Sequence, residues 1–219
     1  MIVRAEVPLL LLLAAELLLL HRGQRRLFWR LGGAGALRPF AYLAVMPGTV
    51  LHESSHALAC RALGVPVGRT RLFRPRRRPD GSVLLGSVSH ARTGPLRGAL
   101  ISAAPLVLVP AALAGVSAAL LGPRVLGHFP HGLSTVPVWR LALWGWSSLS
   151  CAQAAFPSSG DHIGVLGALL IGLVLTILLV ALSAAGGPGT LHRALAFATV
   201  LLALPAAVAA VALVVLRAR

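Results

Sequence analysis

Acidic residues are scarce in this chain, which has only five of them among 219 residues, against twenty basic ones. Charged residues together make up 11% of the sequence, whereas hydrophobic residues make up 57% and the mean hydropathy is +0.86. Soluble domains carry about 25% charged residues, so this composition argues against an ordinary soluble domain and indicates a membrane protein. The five acidic residues are Glu6, Glu16, Glu53, Asp80 and Asp161.

Lysine is absent, and all twenty basic residues are arginines. Most of them flank apolar segments, where arginine holds loops against anionic lipid headgroups. The densest cluster is Arg74-Pro75-Arg76-Arg77-Arg78, which in a soluble protein would suggest a nucleic-acid surface. Beside an apolar segment, a topology and lipid anchor is the favoured interpretation, so we expect the lipid bilayer as partner and no nucleic acid.

Cysteine is also rare, and the two present, Cys60 and Cys151, both lie in apolar segments. This placement predicts buried free thiols. The pair therefore gives no firm indication of the redox compartment.

Apolar runs of membrane-spanning length, about 20 residues each, recur along the chain. They predict an all-α integral membrane protein, a polytopic bundle of about six transmembrane helices that forms a single domain over residues 1–219. The first run is short and contains Glu16, so an interfacial helix is the alternative there. The six predicted spans are 5–20, 41–63, 98–121, 138–156, 162–184 and 192–216.

The second span contains a charged motif, His52-Glu53-Ser54-Ser55-His56, which fits H-E-x-x-H. Helical residues four apart lie one above the other, so both imidazoles can bind one Zn²⁺. Glu53 lies beside them, where a carboxylate can accept a proton from a water that the metal activates. The alternative is a chance match, which would leave three polar groups to be satisfied in lipid.

The helix that carries the motif is predicted over about 41–63, since Gly64 and Pro66 are typical of a helix end. Its polar residues recur at three- and four-residue spacing on one face, which must point to protein or water and not to lipid. Cys60 belongs to this face, and packing is favoured over metal ligation for its thiol. The others are Thr49, His52, Glu53 and His56.

A short β-hairpin is predicted after this helix, over about 67–92, because Asp80-Gly81 separates two apolar runs. The functional interpretation is an edge strand that pairs with an extended substrate. An ordinary interfacial hairpin is an equally good alternative.

A catalytic zinc needs a third protein ligand from another segment. Asp161 lies in a Ser/Gly turn between two predicted spans, in a loop at about 157–162, and is the favoured candidate. His162 and, more remotely, His90 are alternatives because imidazole is also a good zinc ligand. Ser158-x-x-Asp161 also fits a capping box, in which Asp161 would cap the following helix.

The sequence resembles the site-2 protease family of intramembrane zinc metalloproteases over roughly residues 41–165. The resemblance is carried by H-E-x-x-H within a span, the Gly64-Val65-Pro66-Val67 exit, Ser102-Ala103-Ala104-Pro105 and Pro157…Asp161. It departs from the family where Ala154 replaces an asparagine, His162 replaces a glycine, and the spacing from proline to aspartate is shorter.

The resemblance implies a zinc metalloendopeptidase in the cell membrane, a multi-pass protein that cleaves transmembrane proteins or peptides. His52, His56 and Asp161 would be the zinc ligands, and Glu53 would be the catalytic base. Two alternatives remain at this point: a catalytically inactive zinc-binding membrane scaffold, and an ion transporter. The first would not require Glu53, and the second normally has polar residues along several spans.

Overall fold

The structure is a computed structural model that describes residues 38–79, 83–122 and 131–154, together with a few single residues. The single residues are Pro8, Leu11, Leu12, Ala15, Glu16, Val125, His192, Leu195 and Thr199. Over these ranges the chain forms α1 (Arg38–Ala62), β1 (Val67–Arg71), β2 (Arg76–Arg77), β3 (Val83–Leu84), β4 (Ser87–His90), α2 (Pro95–Leu121), a 3₁₀ helix (His131–Thr135) and α3 (Val138–Ala154).

The C-terminal end of α1 is set by glycine. Gly64 has a φ of 66°, a left-handed conformation that side chains other than glycine rarely adopt. Its N–H donates to the Arg61 carbonyl at 3.1 Å, and the Val65 N–H donates to the Cys60 carbonyl at 2.8 Å. These two bonds form a Schellman motif, and Val65 packs against Cys60, a contact that often accompanies such motifs. Pro66 then directs the chain away from the helix axis toward β1.

The four strands form two antiparallel pairs, β1 with β4 and β2 with β3. In the first pair Val67 lies opposite His90 and Arg71 opposite Ser87, with a bulge after Val67. A bond from the Arg74 N–H to the Leu85 carbonyl, 2.6 Å long, links the two pairs into one ladder. The turn with Asp80 and Gly81 lies outside the described residues.

The three helices pack against one another. The strands β1 and β4 both contact α1. Where α1 meets α3, Leu51 packs against a cluster made of Val109 and Leu113 from α2 and Cys151 and Ala154 from α3. A polar link also joins α2 to α3, since the Trp144 Nε1–H donates to Ser117 Oγ at 3.0 Å. The helix that carries His52 and His56 is therefore packed between α2 and α3.

The prediction of an all-α bundle of six transmembrane helices is wrong. The described ranges contain three α-helices and four short antiparallel strands, and only one of these helices, Pro95–Leu121, is long and apolar enough to cross a membrane. It has 27 residues and a mean hydropathy of 2.2 in its most apolar window. The predicted spans 5–20, 162–184 and 192–216 lie almost entirely outside the described residues.

The two other described helices fall short of a membrane span for different reasons. α1 has 25 residues, but its histidines and Glu53 lower its hydropathy, so the residues that make the site also make the helix too polar. The described part of α3 has 17 residues, fewer than the roughly 20 needed to cross the apolar core of a bilayer. Within the described ranges, an apolar run in the sequence therefore did not by itself establish a membrane crossing.

Candidate metal centre

The polar face of α1 is turned into the protein. His52, Glu53 and His56 are 6%, 8% and 6% exposed, and Cys60 on the same face is fully buried. Thr49 is buried as well, and its hydroxyl donates to the Val45 carbonyl at 3.0 Å, so its hydrogen-bonding need is met within the helix. Two imidazoles and a carboxylate thus lie away from bulk water, where an unpaired charge is costly.

Each imidazole is oriented by a backbone carbonyl from a different helix. His52 Nδ1 lies 2.6 Å from the carbonyl oxygen of Ala154, the last described residue of α3. His56 Nδ1 lies 2.8 Å from the Ile101 carbonyl oxygen in α2. A carbonyl oxygen can only accept, so both Nδ1 atoms must carry the proton. In the neutral rings, the lone pair is therefore on Nε2 in both histidines.

The two Nε2 atoms converge. They lie 3.1 Å apart, with the rings edge to face at 84° and their centroids 4.7 Å apart. Two nitrogen lone pairs at this distance repel each other unless a cation or a proton lies between them. Two nitrogen ligands of tetrahedral Zn²⁺, at about 2.0–2.1 Å from the ion, lie about 3.3–3.4 Å apart. The imidazole pair therefore fits a zinc ion, with a carbonyl behind each ligand as such sites normally have.

No third ligand joins the pair within the described part of the chain, where no group of three or more His, Cys, Asp or Glu side chains is arranged to hold a metal. Cys60 packs in an apolar cluster with Val65 and Ile101. His90, at the end of β4, is exposed and bonds to the neighbouring Ala91 carbonyl. The favoured candidate Asp161 and its alternative His162 lie outside the described residues.

The ladder contacts the predicted base through a glycine. Gly86, between β3 and β4, is buried, and a Cβ atom built on it would lie 2.6 Å from Glu53 Cγ. The same Cβ would lie 2.8 Å from the Leu72 carbonyl oxygen and 2.9 Å from the Arg71 carbonyl oxygen. Only glycine allows this close approach of the strands to Glu53.

The contact between α1 and α3 also depends on a glycine, Gly48, whose N–H donates to Ser150 Oγ at 2.7 Å. A Cβ at Gly48 would overlap the Ser150 carbonyl and lie 2.9 Å from Ala154 Cβ. The approach brings Ala154, whose carbonyl orients His52, to the metal-motif helix. Close helix contacts through small residues are common in membrane proteins.

Gly48→Ala is expected to push α3 from α1 and remove the carbonyl from His52. We expect a loss of about 1–3 kcal/mol of stability, typical of overpacking, together with weaker zinc binding. Thermal unfolding and zinc affinity measure the two effects. Gly115→Ala in α2 is the control, because nothing lies within 4 Å of a Cβ there. Equal behaviour of the two variants would contradict the proposed contact.

Sequence reasoning identified no orienting partners for the histidines and gave no role to Gly48 or Gly86. The carbonyls of Ala154 and Ile101 belong to the backbone, which carries no residue-specific signal. One signal was present: Pro105 follows Ile101 by four residues, so that the Ile101 carbonyl lacks its usual helical donor.

Comparison of the chain with protein-family models, with curated proteins and with solved structures finds no match.

Proposed function

We propose that this protein is a membrane-embedded zinc metalloendopeptidase of the site-2 protease type. The observation that carries the proposal is the pair of buried imidazoles whose Nε2 atoms converge to 3.1 Å while both Nδ1 atoms face carbonyl oxygens. A metal ion between the two Nε2 atoms would remove the repulsion between their lone pairs. H-E-x-x-H, with a carboxylate next to the first imidazole, adds the group that hydrolysis requires.

His52 and His56 would hold the metal through Nε2, and Asp161 is the proposed third ligand. A zinc ion held there would supply Lewis acidity and lower the pKa of a nearby water molecule. Glu53 would accept the proton of the attacking water on a carboxylate oxygen and then donate it to the leaving amine. Burial favours this transfer because bulk water would compete for the same proton.

The proposed substrate is a transmembrane protein held as an extended strand. A helical peptide bond is hydrogen-bonded and shielded, so cleavage needs an extended segment, which can pair with the edge of a sheet. The described ladder would supply such an edge next to the site, since Gly86, immediately before β4, lies against Glu53. A strand added along β4 would pass close to Glu53.

The distribution of side chains supports a location in the membrane. Polar residues such as His52, Ser117 and Ser150 are buried, whereas large apolar side chains are exposed on all three helices. Buried polar side chains together with large exposed apolar ones on the same helices favour contact of the outer faces with lipid or protein. The exposed apolar residues of the helices include Phe40, Leu43, Leu58, Leu96, Leu100, Val107, Val138, Trp139 and Leu143.

The ladder would lie at the membrane surface. Its arginines are mostly exposed, and desolvation together with the nearby charges of Arg76, Arg69 and Arg74 lowers the pKa of Arg71. Mutual repulsion of this kind is relieved by anionic lipid headgroups. Because α1 and α3 pack along α2, the described helix that is long and apolar enough to span, we propose that the site lies at membrane depth in a protein of the cell membrane.

Extraction of cell membranes at alkaline pH tests this location. We expect the full chain to stay in the pellet after carbonate treatment and to be released only by detergent, because its exposed apolar faces need lipid. Recovery in the carbonate supernatant would contradict a membrane-embedded site.

Metal analysis and a cleavage assay together test the function. We expect about one zinc per chain in detergent-purified protein and cleavage of a single-span test substrate in liposomes. A variant with both His52→Ala and His56→Ala should lose zinc and cleavage. Folded wild-type protein without zinc would refute the metal centre, and zinc without cleavage would favour the inactive scaffold.

A further inference from the structure

Pro105 lies inside α2, four residues after Ile101. In an α-helix the carbonyl of residue i accepts a bond from the N–H of residue i+4, and proline has no N–H. The helix therefore leaves the Ile101 carbonyl without its normal donor. The His56 Nδ1–H takes that place, at 2.8 Å from the same oxygen.

The hydrogen bond between His56 and the Ile101 carbonyl is buried. Pro105 and Ile101 are among the most deeply buried residues, and His56 is 6% exposed, so water has little access to replace either partner. A buried carbonyl without a donor and a buried imidazole N–H without an acceptor are both destabilising. Each group meets the need of the other.

We propose that Pro105 is a positioning residue of the metal centre, which reserves the Ile101 carbonyl for His56 and so keeps the His56 Nε2 lone pair directed at the metal. The inference rests on the proposed function for its purpose, but the preference for Nδ1–H is a property of the metal-free protein as well. Restoring an N–H at position 105 would supply a local competitor that is always within reach of the carbonyl. The freed imidazole would then populate the other tautomer, in which Nε2 carries the proton and cannot bind a metal.

The chain offers a matched control in the same helix. Pro110 also removes a helical N–H, the one opposite the Leu106 carbonyl, but Pro110 is exposed. Replacing either proline restores one helical hydrogen bond, and removal of an internal proline generally favours a helix. A change in the metal centre that appears only at position 105 therefore does not arise from helix stability.

The experiment compares Pro105→Ala, Pro105→Val and Pro110→Ala in the full chain, purified in detergent. Alanine is smaller than proline and valine is larger, so an effect that both variants share follows from the restored N–H and not from the change in volume. Zinc affinity is measured by competition with a chelator, and the tautomer of His56 is measured by NMR of the metal-free protein with ¹⁵N-labelled histidine. Thermal unfolding verifies that each variant is folded.

Both Pro105 variants are expected to bind zinc about 10–100-fold more weakly, the usual effect of losing the partner of a histidine ligand. His56 should shift from Nδ1–H toward a mixture of tautomers, while Pro110→Ala stays within about twofold of wild type, on the scale of a surface change. Weaker binding in Pro105→Ala alone would assign the effect to lost volume and overturn the proposal, as would an unchanged tautomer in both variants. A tautomer shift in a protein that binds no zinc would support the positioning role while refuting the proposed zinc enzyme.

Discussion

Glu53→Gln is expected to keep about one zinc per chain and to reduce peptide cleavage by about 10²–10⁴-fold, the usual contribution of a general base. Glutamine has nearly the same shape as glutamate, so the contact with Gly86 and the burial of the side chain are retained. The amide cannot accept the proton of the attacking water. Zinc content and the cleavage rate of a single-span substrate in liposomes measure the two parts of this prediction.

Two variants control for the loss of charge and for changes within the motif. Glu16→Gln removes another buried glutamate, and Ser54→Ala changes a half-buried position between Glu53 and His56. Both should cleave at close to the wild-type rate. Wild-type cleavage by Glu53→Gln would rule out the proposed base, and loss of zinc in that variant would indicate that Glu53 holds the metal.

Asp161→Ala is expected to remove or greatly weaken zinc binding and to abolish cleavage. Two imidazoles leave a catalytic zinc site one protein ligand short, and a carboxylate is a suitable third ligand. The Ala154 carbonyl lies 2.6 Å from His52 Nδ1, so the segment that leads to Asp161 starts at the site. Seven residues reach up to about 25 Å when extended, which is ample for a return to the histidines. Zinc content of the purified variant measures the effect.

His162→Ala is the matched comparison, one residue further along the chain. It should keep about one zinc and lose at most part of the rate. The reverse pattern, with zinc lost in His162→Ala and kept in Asp161→Ala, would assign the ligand to His162. Zinc retained in both variants would leave Asp161 with the role of a helix cap.

The candidate site could be located in the sequence because its core is local. His52, Glu53 and His56 lie within five residues of one helix, and the helical repeat alone brings them to one face. Gly64 likewise marked the end of α1, since its positive φ is a property that glycine provides without neighbours. The role of Asp161 as the third ligand remains a prediction, because it depends on how another segment of the chain returns to α1.

The number of membrane crossings could not be obtained in the same way. Hydropathy reports how apolar a segment is, whereas a span also requires a helix of sufficient length without too many polar side chains. The described part of α3 is short, and α1 is polar because it carries the site. For that reason six apolar runs predicted six spans, whereas only Pro95–Leu121 among the described helices meets the requirement of a span.

By itself the sequence determined the chemistry that this protein can carry: two imidazoles and a carboxylate at helical spacing, in a chain with almost no other acidic residues. Only the tertiary structure decided how the two imidazole rings are oriented. His52 is oriented by a carbonyl 102 residues away and His56 by one 45 residues away. The physical reason is that the tautomer of a histidine is selected by its hydrogen-bond partner, and these partners come from other helices. Gly48 allows α3 to approach α1, and Pro105 leaves the Ile101 carbonyl available to His56.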